Sequence, residues 1–133
     1  RQISGHGLMP ILEPEVTISI ADKAEAEKIL GDEIAAHLDA LAEGEKIMLK
    51  LTLPEEANFY KPLIDDARVL KAVALSGGYS RTDANARLAQ NAGMIASFSR
   101  ALTEGLSAKQ SDDTFNATIA DTIDSIHTAS VAG

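Results

Sequence analysis

Short apolar runs alternate with amphipathic stretches along this chain, and the alternation repeats four times. The runs begin at Leu8, Ile47, Val69 and Met94, and each is nearly continuous in apolar residues. Such runs are typical of parallel strands that are buried on both faces beneath crossover helices. The pattern therefore predicts an α/β fold that is built from four strand–helix units.

Helical periodicity and capping signals fill the intervals between the runs. Apolar residues at spacings of three and four predict a helix over about 21–42, and Gly44 just beyond it is a stop signal. Ser80, followed three residues later by Asp83, is a capping box that opens another helix. Helices are also expected over about 58–66 and in the segment after the fourth run.

Repeated strand–helix units occur in two main architectures, the open doubly wound sheet and the eight-stranded (β/α)8 barrel. A complete barrel needs about 250 residues, whereas this chain has 133. Residues 1–133 are therefore interpreted either as an open sheet or as half of a barrel whose other half lies elsewhere.

Composition narrows the classes of partner. Lys and Arg number 12 against 20 Asp and Glu, a formal charge of −8, which opposes binding to nucleic acid or to an anionic membrane. Cysteine is absent and only three histidines are present, scattered along the chain, so no metal site is expected. No apolar run approaches the roughly 18 residues of a membrane span, and a cytoplasmic location is expected.

Lys50 is the most informative polar residue, because it lies inside an apolar run between Leu49 and Leu51. Desolvation lowers the pKa of a lysine, and a neutral amine attacks carbonyl groups, which is how a Schiff-base lysine is activated. The alternative is that Lys50 reaches solvent or pairs with a carboxylate.

Glu13 and Glu15 follow the first apolar run at a spacing of two residues. If the strand continues through them, their carboxylates project from one face. Two like charges at that distance raise the pKa of one carboxyl group, which suits it to proton transfer near neutral pH. The alternative is that Pro14 marks the end of the strand and leaves both glutamates in a solvated loop.

A candidate anion site follows the third and fourth runs. Glycines at Gly77 and Gly78 allow backbone amides to turn toward a ligand, and Ser76 adds a hydroxyl. Ser99 and Arg100 follow the fourth run. In barrels, the loops after strands seven and eight often bind phosphate, so these two loops are expected to do so if the chain holds the last four strands.

Taken together, four motifs resemble the C-terminal half of class I fructose-bisphosphate aldolase, and their order and spacing match over nearly the whole chain. Two further stretches, 50–54 and 99–106, look like the bacterial branch of that family. The chain differs from the animal-type proteins at Ser99, where they have Gly, and at Leu51-Thr52, where they have Pro-Asn. The four motifs are Pro10–Glu15, Met48–Lys50, Ala74–Gly78 and Phe98–Leu102.

The resemblance implies a (β/α)8 barrel of which strands five to eight are present, as the C-terminal half of one domain. It implies reversible cleavage of fructose 1,6-bisphosphate to dihydroxyacetone phosphate and glyceraldehyde 3-phosphate, in glycolysis and gluconeogenesis, without a metal or other cofactor. Lys50 matches the Schiff-base lysine, Glu13 the proton-exchanging carboxylate and Glu15 the residue that orients the lysine. The matches to the phosphate cradle are Ser76, Gly77, Gly78, Ser99 and Arg100.

The family's first four strands supply an essential aspartate, a second lysine and the residues for the other phosphate. The chain alone is therefore expected to be inactive without an N-terminal barrel half as partner. Two alternatives stay open: another Schiff-base barrel aldolase, such as a transaldolase or keto-acid aldolase, and a non-catalytic interaction module derived from a barrel. The sequence also leaves open a homo-oligomer.

Overall fold

Strands and helices alternate along residues 2–133, which are the residues that the structure, a computed structural model, describes. The strands are β1 (Ile11–Leu12), β2 (Ile47–Thr52), β3 (Val69–Leu75) and β4 (Met94–Ala96). The α-helices are α1 (Lys23–Asp39), α2 (Lys61–Ile64), α3 (Arg81–Leu88), α4 (Arg100–Thr103) and α5 (Asp112–Ala132). A short 3-10 turn over Ser4–His6 precedes β1. The α/β class predicted from the sequence is confirmed.

All four strands are parallel, and their order in the sheet is their order in the chain, β1-β2-β3-β4. Right-handed crossovers between successive neighbours all return on the same side of a sheet, whereas a doubly wound sheet needs a reversal of strand order to cover both sides. The sequential order is therefore consistent with part of a barrel.

The core lies on one face of the sheet. Leu49 and Leu51 of β2 are fully buried and stand in register with Ala72 and Ala74 of β3, which are also fully buried. The helices pack against this same face of the sheet and complete the core, chiefly through Ile34, Leu38, Leu88 and Ala129. The odd-numbered positions of β2 thus fix which face of the strand packs against helices.

The opposite face of the sheet is uncovered. Lys50 stands in register with Val73 and, through it, with Ile95 of β4, and Ile95 is 38% exposed. Ile11 of β1, on the same face, is 44% exposed. The prediction that the strands are buried on both faces is therefore wrong for this chain, because its helices cover only one of them.

Capping explains where the helices begin. Ser80 accepts a hydrogen bond from the Asp83 amide at the start of α3, as the capping box predicts. The helix predicted over 58–66 contracts to α2, because Asn58 has a left-handed φ of 60° and Pro62 can occupy only the first turn.

The first strand is also shorter than the apolar run that predicts it. Leu8 and Met9 are exposed and precede β1, while the carbonyl of Pro10 accepts a hydrogen bond from Met48 N at 2.9 Å. Proline has no amide hydrogen, so Pro10 and Pro14 limit the ladder on either side.

We expect the two faces of the sheet to differ in what they contribute to stability. Leu51→Ala should lower the free energy of unfolding by about 2–5 kcal/mol, because it removes a fully buried side chain from the core. Ile95→Ala, on the uncovered face, should cost about 1 kcal/mol or less. Urea unfolding followed by circular dichroism measures both, and equal losses would contradict a one-sided core.

Candidate active site at the carboxyl edge of the sheet

The carboxyl ends of parallel strands meet at one edge of a sheet, which is where α/β folds bind ligands. Glu13 directly follows β1, Ser76 directly follows β3, and Ser99 lies three residues beyond the end of β4. Lys50 is the fourth residue of the six in β2. The structure therefore brings most of the residues singled out from the sequence to the same edge.

Lys50 and Glu13 form an ion pair, with 2.9 Å between Nζ and Oε2. The register between the strands explains the contact. Ile11 pairs with Met48 and Leu12 with Leu49, so Glu13, the residue after β1, comes opposite Lys50. The Lys50 side chain is 28% exposed. Of the two interpretations drawn from the sequence, this geometry favours an amine that is paired with a carboxylate.

Glu15 is placed differently from Glu13. The strand ends at Leu12, so Glu13 and Glu15 are not successive same-face residues of one strand as the spacing predicted. Glu15 is exposed, and within residues 2–133 no hydrogen bond or ion pair joins it to Lys50 or Glu13. Its orienting role stays a prediction.

Lys50 also opens into a cleft, with a volume of about 640 Å³, that it shares with the loop after β4. Ser99 lines the same cleft, together with Ile95 from the uncovered face of β4. A ligand carbon that reaches Lys50 can therefore carry a substituent toward Ser99.

The loop after β3 is a tight turn that only glycine allows. Gly77 has φ 63° and Gly78 has φ 105°, and a Cβ added at Gly77 would lie 2.9 Å from Ile18 Cγ2. Ser76 is buried, and its carbonyl accepts a hydrogen bond from Tyr79 N at 2.9 Å. The turn therefore exposes backbone rather than side chain at Gly78.

Arg100 lies beside this turn. A Cβ added at Gly78 would be 3.8 Å from Arg100 Nη1, so the first residue of α4 reaches across to the loop after β3. No carboxylate among residues 2–133 lies within ion-pair distance of Arg100, although Arg68 and Arg87 both have such partners. An unpaired guanidinium beside a glycine turn suits an anion such as phosphate.

A buried group of charges near the same edge is not apparent from the sequence. Lys23 of α1 is only 3% exposed, Glu27 is 2% exposed, and the two form an ion pair. Glu55, beyond the end of β2, approaches Lys23 to 3.3 Å. Burial would raise the pKa of Glu55, but the hydrogen bond and charge of Lys23, helped by Arg87 and Tyr79, hold it below its usual value.

No group of three or more His, Cys, Asp or Glu side chains within residues 2–133 is arranged to hold a metal ion. None of the helices in this part of the chain combines the length and the apolar character of a bilayer-crossing segment.

The Lys50–Glu13 pair thus lies at the carboxyl edge of a parallel α/β sheet, where barrel enzymes have their active sites, and a lysine amine at such a position can form a Schiff base with a carbonyl substrate. Three curated relatives carry the name fructose-bisphosphate aldolase class 1. The chain is 53% identical over 131 residues to that of Synechocystis sp., 52% over 131 residues to that of Porphyromonas gingivalis and 50% over 130 residues to that of Clostridium acetobutylicum.

Each of these alignments covers 98% of this chain but 44% of the relative. No family model matches the chain. The resemblance to class I fructose-bisphosphate aldolase is thus confirmed over nearly the whole of this chain, which spans less than half the length of the relatives it matches. A C-terminal portion fits that coverage.

We expect the Gly77 turn to be less tolerant of substitution than an open left-handed glycine. Gly44 has φ 80° with nothing within 4 Å of an added Cβ, so Gly44→Ala should cost about 1–2 kcal/mol of backbone strain. Gly77→Ala adds the clash with Ile18 and should cost about 2–4 kcal/mol. Thermal and urea unfolding of the two variants test this, and a smaller loss at Gly77 would refute the geometry.

Proposed function

We propose that this chain carries the carboxyl-terminal part of the active site of a Schiff-base fructose-bisphosphate aldolase. The observation that carries the proposal is the Lys50–Glu13 ion pair at the carboxyl edge of the sheet, on the same edge as the Gly77–Gly78 turn and Arg100. The names of the relatives agree with this chemistry.

In the proposed reaction, Glu13 accepts a proton from the Lys50 ammonium, and the neutral amine that remains adds to the ketone carbon of fructose 1,6-bisphosphate. Glu13 returns a proton to the resulting hydroxyl group, which leaves as water and gives a protonated imine. Glu13, left as a carboxylate by that step, accepts the C4 hydroxyl proton as the C3–C4 bond breaks; this releases glyceraldehyde 3-phosphate and sends the electron pair into the imine as an enamine. Protonation and hydrolysis then release dihydroxyacetone phosphate.

Glu13 is suited to the proton exchange because it already lies 2.9 Å from the lysine nitrogen. We assign Glu15 the role of orienting the lysine, as the resemblance implies. The imine itself accepts the electrons that C–C cleavage releases, so the chemistry of this class needs no metal.

The C1 phosphate is proposed to bind between the two last loops. Backbone amides at Gly77 and Gly78, the hydroxyl groups of Ser76 and Ser99, and the Arg100 guanidinium supply the donors. Arg100 adjoins Gly78, and Ser99 shares a cleft with Lys50. This placement lets one ketose reach both the amine and the anion site, despite the net charge of −8.

We further propose that residues 1–133, of which Arg1 lies outside the described residues, are half of a (β/α)8 domain with strands five to eight. Its uncovered sheet face and the outer edges of β1 and β4 then meet an N-terminal half that acts as the partner, in place of the contact at β4 where Ala96 N donates to Ser130 Oγ of α5. A groove of about 820 Å³ beside β1 offers apolar surface from Ile11, Leu12 and Leu30 for that contact. The isolated chain is then inactive, and the whole protein acts in cytoplasmic sugar-phosphate metabolism.

We expect the chain to form a reducible adduct on Lys50 once its partner half is restored. The chain is mixed with the N-terminal portion of the Synechocystis relative, assembly is checked by size-exclusion chromatography, and borohydride is added with fructose 1,6-bisphosphate. Peptide mass mapping should place the adduct on Lys50, and Lys50→Met should lower turnover by more than about 10³-fold.

The matched control is Lys71→Met. Lys71 lies on the same uncovered face of the sheet, in register with Met48, two residues before Lys50. It is therefore a second lysine on this face, but without a carboxylate contact within residues 2–133. Turnover in this variant should stay within about twofold of the parent, because Lys71 makes no ion pair with Glu13 and takes no part in the proposed imine chemistry. An adduct on Lys71, or no adduct in an assembled complex with any ketose phosphate, would reject the proposed function.

A further inference from the structure

A cluster of charged side chains around the buried Lys23–Glu27 pair lies between α1, the end of β2 and the loop after β3, outside the site described above. We call it the Lys23 network, and its members are Lys23, Glu27, Glu55, Tyr79 and Arg87. Replacing a buried ion pair with apolar residues is often neutral or stabilising. Stability alone therefore does not explain why charges are kept at this place.

The ammonium of Lys23 makes two hydrogen bonds and one longer ion-pair contact. It donates to Glu27 Oε1 and, at 2.9 Å, to the carbonyl of Leu53. The third acceptor is Glu55 Oε1 at 3.3 Å. Since Leu53 directly follows β2, the start of α1 holds the chain three residues beyond Lys50.

Glu27 also holds the segment that follows β2 against α1. Its second carboxylate oxygen accepts a hydrogen bond from Glu55 N at 3.0 Å, so one turn of α1 contacts both ends of the segment 53–55. This geometry fixes the loop after β2 in position and direction, because it restrains a carbonyl, an amide and a carboxylate together.

The network continues into the loop that follows the glycine turn. Tyr79, the residue after Gly78, donates its hydroxyl to Glu55 Oε1 at 3.2 Å. The Arg87 guanidinium lies 4.4 Å from the centre of the Tyr79 ring and donates to the carbonyl of Pro54 at 3.2 Å. The loop after the lysine strand and the glycine turn are therefore joined through Glu55.

We propose that Lys23, Glu55 and Tyr79 are positioning residues that set the separation between the Lys50 amine and the Gly77–Gly78 anion site. The proposal rests on the proposed function, since it assumes that a phosphorylated carbonyl compound spans those two points. It follows that the network matters for substrates that carry the phosphate, and matters little for a carbonyl compound that touches Lys50 alone.

The experiment compares dihydroxyacetone phosphate with dihydroxyacetone as trapping partners in the complemented complex. In Lys23→Met, we expect the half-saturating concentration of dihydroxyacetone phosphate for borohydride-trapped adduct to rise about tenfold, because the anion site shifts relative to the amine. Tyr79→Phe, which keeps the ring over Arg87, should give a rise of about threefold. Trapping with dihydroxyacetone should change by less than twofold in both.

Lys28→Met is the matched control, because Lys28 forms an i,i+4 pair with Asp32 on the same helix, but with both side chains mostly exposed. It should leave trapping of both compounds unchanged. If Lys23→Met does not fold, Tyr79→Phe tests the positioning role, through its effect on trapping of dihydroxyacetone phosphate compared with dihydroxyacetone.

Equal loss of trapping with both compounds, or no loss with either, would overturn the positioning role while leaving Lys50 as the reactive amine. Absence of any adduct in the unsubstituted complex is a different result. It would contradict the proposed function, and with it the positioning role that depends on that function.

Discussion

The register between β1 and β2 is the constraint on which the candidate site depends. Because side chains alternate between the two faces of a strand, a slip of one residue would turn Lys50 toward the helices and Leu49 toward the open face. The fully buried Leu49 and Leu51 prevent that slip, since exposing both would cost several times the ~1.4 kcal/mol of a tenfold change in population. Apolar packing on one face therefore positions an ion pair on the other.

Because the core lies on one face only, apolar residues around the Lys50–Glu13 pair are left exposed. Parallel sheets are normally covered on both faces, yet here Ile11 and Ile95 border the ion pair and remain exposed. An apolar surface of this kind that surrounds an amine and a carboxylate is typical of the interior of a barrel rather than of an outer surface. The same surface, left open, favours association along the strand edges.

Much of the fold was predictable because local signals and packing agree. The run Val69–Leu75 matches β3 residue for residue, and the Ser80 cap opens α3 as expected. The extents of β1 and α2 were overestimated, because Pro10, Pro14 and the left-handed Asn58 interrupt patterns that hydrophobicity alone would continue. The covering of one face rather than two depends on strand order, which no single run reveals.

The site was predictable only in part. A lysine inside an apolar run drew attention to Lys50, but its contact with Glu13 depends on the register between β1 and β2, which the runs do not reveal. The Lys23 network was missed because Lys23 and Glu27, at a spacing of four, look like an ordinary surface pair on a helix. Lys28 and Asp32 have the same spacing and are indeed exposed. Only the approach of Leu53 and Glu55, distant in sequence, distinguishes the buried pair.

These two charge groups differ in what a covering half would do to them. Lys23 and Glu27, at the centre of the Lys23 network, are already buried within this chain, so a partner on the far face of the sheet changes their surroundings little. The Lys50–Glu13 pair is half-exposed, and covering it would remove water and strengthen each electrostatic contact within it. The structure thus separates a framework that is set within this chain from a reactive pair whose surroundings depend on what covers the open face.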